Sequence, residues 1–351
     1  MSSAVFCGNT DPGKVRTRNE DSYIAQYMWD KHHILAVAID GVGGYEGGDV
    51  AAALAHKCII EYLENYPNGE RLDLLKQAVV SANNTILSER KNLPYSSMSC
   101  VLTAVLVELK EMRINMAHVG DTRLYQFANG ILSKLSHDHS LVGYREEIGE
   151  LTEEEAMKHP QRNVLGRDVG SSFLEINNND YIETATFPLI SKSTLLLCSD
   201  GLCDMLTSTQ MVSILQKELT VEEKVSALIN AANEAGGKDN VTAILVDVDL
   251  DDAPLATYTE EKQKIKAVDE QDKVTAPTNN RKKKIVIFLF CCLILLALGC
   301  YTAILCYQNT FNGKNIKNAP ARITPQSSKQ IPSGYNSTQK YPNSNEELTN
   351  K

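Results

Sequence analysis

In the first 250 residues, short apolar runs repeatedly end on, or start from, an aspartate set beside glycine or another turn-forming residue. Asp40-Gly41 follows the run at 35–39, and Asp121 follows Ala117-His118-Val119-Gly120. Asp200-Gly201 follows 195–199, Asp239-Asn240 precedes 241–248, and Glu20-Asp21 lies near the N-terminus. Runs this short and this rich in Val, Ile and Leu read as strands. One Asp-Gly pair is an ordinary turn. Five carboxylate positions at strand ends, if they converge, suit a hard divalent cation, because Mg²⁺ and Mn²⁺ prefer oxygen ligands and glycine removes the side chain that would block close approach.

The rest of the pattern supplies the frame. Strands are expected at 33–39, 100–109, 112–119, 122–127, 131–135, 194–198 and 241–248, with the fifth turning back around Asn129-Gly130. Helical apolar spacing covers 50–65, 72–88, 208–219 and 221–234. Residues 141–163 are polar, with an acidic helical patch at 153–158, and read as a mobile surface insertion that forms a flap beside the site. Hairpins with paired helices predict an α+β fold, antiparallel sheets covered by helices, rather than a doubly wound parallel sheet.

Charge divides the chain. Residues 1–250 carry 21 Lys+Arg against 35 Asp+Glu, whereas 251–351 carry 14 against 9. The acidic part is long enough to bury a core and argues against nucleic acid as a partner, which needs clustered cations. Nine cysteines are present, and the first five are scattered without zinc-like spacing, as in a reducing compartment. No signal peptide is visible at the N-terminus. Residues 251–284 read as a charged linker. Residues 285–307 contain no charge, which predicts one transmembrane helix; Arg281-Lys282-Lys283-Lys284 before it would hold residues 1–284 in the cytoplasm. That makes membrane lipid an expected partner, with 308–351 a disordered tail on the far side.

Six ordered motifs then become recognisable: 13–22 (Gly13 to Ser22, including Arg16, Asn19, Glu20 and Asp21), 37–44, 119–125, 135–140, 196–202 and 237–242. Over about residues 8–249 the chain resembles the protein phosphatase 2C-type family of metal-dependent serine/threonine phosphatases, especially its compact bacterial members. The resemblance implies a β-sandwich of two antiparallel sheets flanked by helix pairs, with residues 1–250 as catalytic domain. It implies two Mn²⁺ or Mg²⁺ ions and a possible third, acting on phosphorylated protein substrates against a Ser/Thr protein kinase. On the matching positions, Asp40 would bridge two ions and the Gly41 carbonyl would ligate one. Asp200 and Asp239 would complete the first ion's shell, and Glu20 would hold waters on the second. Asp21 would orient that water network from behind, Arg16 would grip substrate phosphate, and Asp121 would serve the third, weaker site. Val42 stands where many eukaryotic members carry a histidine, and Tyr45 where many bacterial members do. His118, His137 and His139 read as hydrogen-bonded structural residues. The competing class is a pseudo-phosphatase scaffold; such chains lose a metal-binding carboxylate, and here all are present.

Overall fold

The computed structural model describes residues 3–42, 47–91, 97–175 and 180–250. The chain divides into two units, and all of these residues belong to the first, Met1–Leu255. It opens with β1 (Ser3–Asp11), β2 (Ser22–Met28), β3 (Asp30–Val42), α1 (Gly48–Asn65) and α2 (Arg71–Glu89). Next come β4 (Ser99–Glu108), β5 (Arg113–Val119), β6 (Arg123–Ala128), β7 (Ile131–Lys134), α3 (Leu141–Glu147) and α4 (Glu153–Met157). The remainder is β8 (Glu183–Pro188), β9 (Ser193–Cys198), α5 (Asp200–Cys203), α6 (Ser208–Leu215), α7 (Val221–Glu234) and β10 (Val241–Asp249).

The strands form two five-stranded sheets, ordered β1-β10-β9-β6-β7 and β2-β3-β4-β5-β8, with every pairing antiparallel. Period-2 alternation explains the continuous apolar runs, because both faces of the central strands are covered. In β3, Leu35, Val37 and Ile39 join a core with α1 and α2, while Ile34, Ala36 and Ala38 join the core shared with the other sheet. In β10, Val241, Ala243 and Leu245 meet α6 and α7, while Ile244, Val246 and Val248 face inward. Three apolar layers therefore separate four structural ones, helices–sheet–sheet–helices. Each fully buried Leu or Ile adds roughly 1.5–3 kcal/mol of hydrophobic stabilisation. α6 and α7 begin with capping boxes, Thr207/Gln210 and Thr220/Glu223, which satisfy otherwise orphaned amides.

Three strands, β1, β2 and β8, escape the sequence reading; all are sheet edges and lack an unbroken apolar run. Segment 141–163 makes polar contacts with the rest of the domain. Glu146 pairs with Arg123 at 2.8 Å, Glu147 with Lys134 at 3.1 Å, and Arg162 with Asp204. Glu153 accepts from both the amide and the hydroxyl of Ser208 at 2.8 Å. The polar side chains anchor this segment to the domain.

The expected membrane anchor is corrected. Among the described residues no helix is long and apolar enough to cross a membrane. The longest, α1 and α2, bury one face and carry Lys57, Glu61 and Glu64, or Arg71, Asp73 and Lys76, on the other, charges that a hydrocarbon core does not accommodate. The span expected at 285–307, like the linker at 251–284 and the tail at 308–351, lies outside the described residues. The transmembrane helix, the lipid partner and the single-pass location with a cytoplasmic domain therefore have no support in the structure.

Candidate active site

Antiparallel pairing brings the acidic strand ends together. Cys198, the last residue of β9, stands opposite both Arg123 and Ala243. Asp200 therefore emerges beside Asp121, two residues before β6, and beside Asp239, two residues before β10. In the other sheet Ile39 stands opposite Ser22, so Asp40 lies near Glu20 and Asp21. The result is one cleft of about 180 Å³, lined by Arg16, Glu20, Asp40, Gly41, Val42, Asp121, Asn163, Asp200, Asp239 and Asn240. Of the predicted residues only Asp21 is not in its wall. It lies behind, accepting from Ser199 Oγ at 2.8 Å and Thr242 Oγ1 at 2.6 Å. Gly43, Gly44 and Tyr45 lie outside the described residues.

Close backbone approach explains two glycines. A Cβ on Gly41 would stand 2.3 Å from Gly48 O and 2.4 Å from Glu20 O, and one on Gly201 would stand 2.0 Å from Asn240 O. Asn240 is the residue that sequence reasoning missed, taking Asp239-Asn240 for a turn. Its Nδ2 donates to Pro12 O at 3.0 Å and Arg18 O at 2.8 Å, and its Oδ1 accepts from the Glu20 amide at 2.8 Å. One side chain thus pins the unpaired segment that carries Arg16 and Glu20. Arg16 Nη2 donates to Asp239 Oδ2 at 2.8 Å, so its guanidinium sits at the cleft with one edge engaged by a carboxylate.

The electrostatics are those of crowded acids. Burial, then the charges of Asp21, Asp200, Asp121 and Asp239, holds the Asp40 carboxyl well above the usual range. Asp121 is raised by burial and by Asp200 and Asp138, and Asp200 by burial and Asp239. Asp21 is pushed up to about 7 by burial, against the pull of its two hydroxyl donors. Glu20 is raised by burial as well. Asp200 Oδ1 is buried with no hydrogen-bond partner. An orphaned carboxylate oxygen among mutually repelling acids, with glycine opening the approach, fits hard divalent cations.

Two further groups have donor atoms within 4.8 Å of one another and could hold an ion: His118, His139 and Glu183, and His33, Glu108 and Glu111. In the first, the histidines have the hydrogen-bonded role expected of them. His118 is fully buried, with Nδ1 on Thr103 Oγ1 at 2.9 Å and Nε2 on the His137 carbonyl at 3.0 Å. Burial lowers its pKa to about 4. Glu183 is held down at about 2: its burial acts the other way, but the nearby His139 and the hydrogen bonds from His137 outweigh it.

Comparison with known proteins agrees with this geometry. The model of the protein phosphatase 2C family matches residues 14–245, and the chain belongs to that family of metal-dependent serine/threonine phosphatases. It is 34% identical to the serine/threonine phosphatase stp of Listeria monocytogenes serotype 4b (strain F2365) over 246 residues, covering 69% of this chain and 94% of that one. The S. agalactiae serine/threonine phosphatase superposes with a TM-score of 0.63 at 29% identity, over 70% of this chain and all of that one. The catalytic domain of the phosphatase PstP in complex with two manganese ions gives 0.60 at 28% identity, over 71% of this chain and all of that one.

Proposed function

We propose that this phosphatase hydrolyses phosphoserine and phosphothreonine on proteins, opposing a Ser/Thr kinase, with two Mn²⁺ or Mg²⁺ ions in the acidic cleft and a weaker third. The observation that carries the reading is the convergence of Asp40, Asp200 and Asp239 with the orphaned Asp200 Oδ1. Bound there, such ions would lower the pKa of a water and neutralise phosphoryl oxygens. The chain's own residues have separable tasks. Asp40, the Gly41 carbonyl, Asp200 and Asp239 supply the ligands. Glu20 would hold waters, Asp21 would position them through its fixed carboxylate, and Asp121 with Asp200 would serve the third site. Arg16 is the phosphate grip, exchanging its Asp239 partner for substrate in a bidentate contact. Residues 1–250 form the catalytic domain.

Phosphopeptide hydrolysis by the full chain, with Mn²⁺ or Mg²⁺ and then with EDTA, tests the function. Turnover should require metal, and Asp40→Asn should lose orders of magnitude in rate, since the ions would be left under-coordinated. Near-wild-type turnover by Asp40→Asn in metal-replete buffer would refute the assignment. A chain ending at residue 250 should retain turnover; loss of activity in a folded truncation would refute the domain boundary.

A further inference from the structure

Among the described residues, two clusters outside the cleft have spacing that could hold an ion, and their hydrogen bonds separate them. In the first, His139 Nδ1 accepts from the Gly120 amide at 3.1 Å. The neutral ring then carries its proton on Nε2, the atom that faces Glu183 at 3.6 Å. His118 has both nitrogens engaged. Neither ring offers a free lone pair, so this group serves as scaffold.

The second cluster is built the other way. His33 stands directly opposite Glu108 in the β3–β4 register, and Glu111 lies in the turn between β4 and β5. His33 Nδ1 is 2.8 Å from Asp30 Oδ1. A carboxylate only accepts, so the neutral ring carries its proton on Nδ1 and has its lone pair on Nε2. That lone pair faces Glu108 Oε2 at 4.0 Å, too far for a hydrogen bond. Glu108 is 3% exposed, and its other oxygen is already taken by Arg113 at 3.0 Å and Asn115 Nδ2 at 2.8 Å. Neighbouring ligands of a tetrahedral ion, with bonds of about 2.0–2.1 Å, lie about 3.3 Å apart, so the 4.0 Å gap needs to close by only about 0.7 Å to share one.

We infer that His33 Nε2, Glu108 and Glu111 form a second metal site, separate from the cleft, taking a transition-metal dication of the Zn²⁺ or Co²⁺ class. Imidazole with carboxylates is a donor set for such ions rather than for Mg²⁺. Asp30 is the partner that fixes the ring, as carboxylates do behind metal-bound histidines. The site lies at the opposite end of β3 from Asp40, seven residues or about 23 Å along the strand.

The molecule carries its own reporter. Trp29 is the chain's one tryptophan, and its ring stands edge-on to His33 with centroids 5.4 Å apart. Titrating Co²⁺ into the full chain in millimolar Mg²⁺ should quench Trp29 emission saturably, and closed-shell Zn²⁺ should compete the quenching away. His33→Ala should abolish the quenching, and Glu111→Gln should weaken the apparent affinity about tenfold or more. Both variants should turn over p-nitrophenyl phosphate like the parent chain, because neither residue lines the cleft. Quenching that is absent in the parent, unchanged in His33→Ala, or unchanged in Glu111→Gln overturns the three-ligand site.

Discussion

Two sets of carboxylates meet around one small cavity of about 30 Å³ and are treated in opposite ways. Asp138 is 8% exposed, yet its pKa falls below the ordinary value: burial pushes it up, but Arg123 and Lys134 outweigh the burial. Arg123 Nη2 lies 2.6 Å from it and Lys134 Nζ lies 2.8 Å away. Asp121 is 9% exposed, and it and its neighbours Asp40 and Asp200 all have raised values. The sequence brings cations to the first set and leaves the second without enough of them. Unbalanced negative charge is what a cation-binding cleft looks like before its ions are considered, whereas balanced charge is what a structural ion cluster looks like.

The sharpest test of that contrast is Asp200→Asn against Asp138→Asn. Asp200→Asn should lower metal-dependent turnover by about 1,000-fold or more, the scale of removing a preorganised charge-stabilising group. The same variant should raise the melting temperature of the metal-free chain, because it relieves repulsion. A lower melting temperature for metal-free Asp200→Asn would break the comparison. Asp138→Asn should instead destabilise the fold by about 1.5–3 kcal/mol, since it leaves the buried Arg123 guanidinium with one carboxylate, Glu146, in place of two. Denaturant unfolding of the metal-free variant measures this, and a cost below about 1 kcal/mol would mean that the Arg123 cluster is not structural.

The two sets should also respond oppositely to pH. An acid with a raised folded-state pKa contributes stability below its unfolded value and loses it as pH rises through the folded one. For Asp21, at 3.8 ordinarily and about 7 here, the metal-free chain loses stability between about pH 4 and pH 7. Asp138, with a lowered value, contributes above its ordinary 3.8 and loses that contribution only at lower pH. Melting of the EDTA-treated chain should therefore fall from pH 5 to 7.5, and saturating Mg²⁺ should flatten the slope. A melting temperature that climbs over this range without metal would contradict the assignment. The smallest expected effect is that of Arg16→Ala, about a tenfold rise in KM for phosphopeptide with metal affinity nearly intact. Lost metal affinity at unchanged KM would make the Asp239 contact, rather than phosphate, its main task.

Much of this was legible in the residues, for physical reasons that also mark the limits. Runs such as 34–39 announce central strands because both of their faces are buried, and 221–234 matches α7 end to end because Thr220 and Glu223 cap it. β1, β2 and β8 were missed because an edge strand alternates only partly and borrows its order from one neighbour. The carboxylates could be picked out because apolar runs frame them. What composition could not convey is which acids receive cations: Arg123 reaches Asp138 across 15 residues and Arg16 reaches Asp239 across 223. Asn240 was hidden for the same reason, since its three partners lie more than 200 residues away. The membrane expectation rested on the uncharged run at 285–307 and the four cations before it, whereas no helix among the described residues is long and apolar enough to cross a membrane.

The reach of Asn240 has a consequence for how the enzyme comes into being. Pairing of β1 with β10 joins Ser3 to Asp249, and Asn240 fastens the segment bearing Arg16 and Glu20. On the ribosome, at about 5–20 residues per second, the first ligand-bearing segments are made long before Asp239 and Asn240 emerge. Until then Arg16 and Glu20 have nothing to hold them, and the acidic cleft lacks one wall. A nascent chain would therefore stay silent towards phosphorylated proteins until β10 has docked, so activity would begin as a single event once residue 249 has emerged.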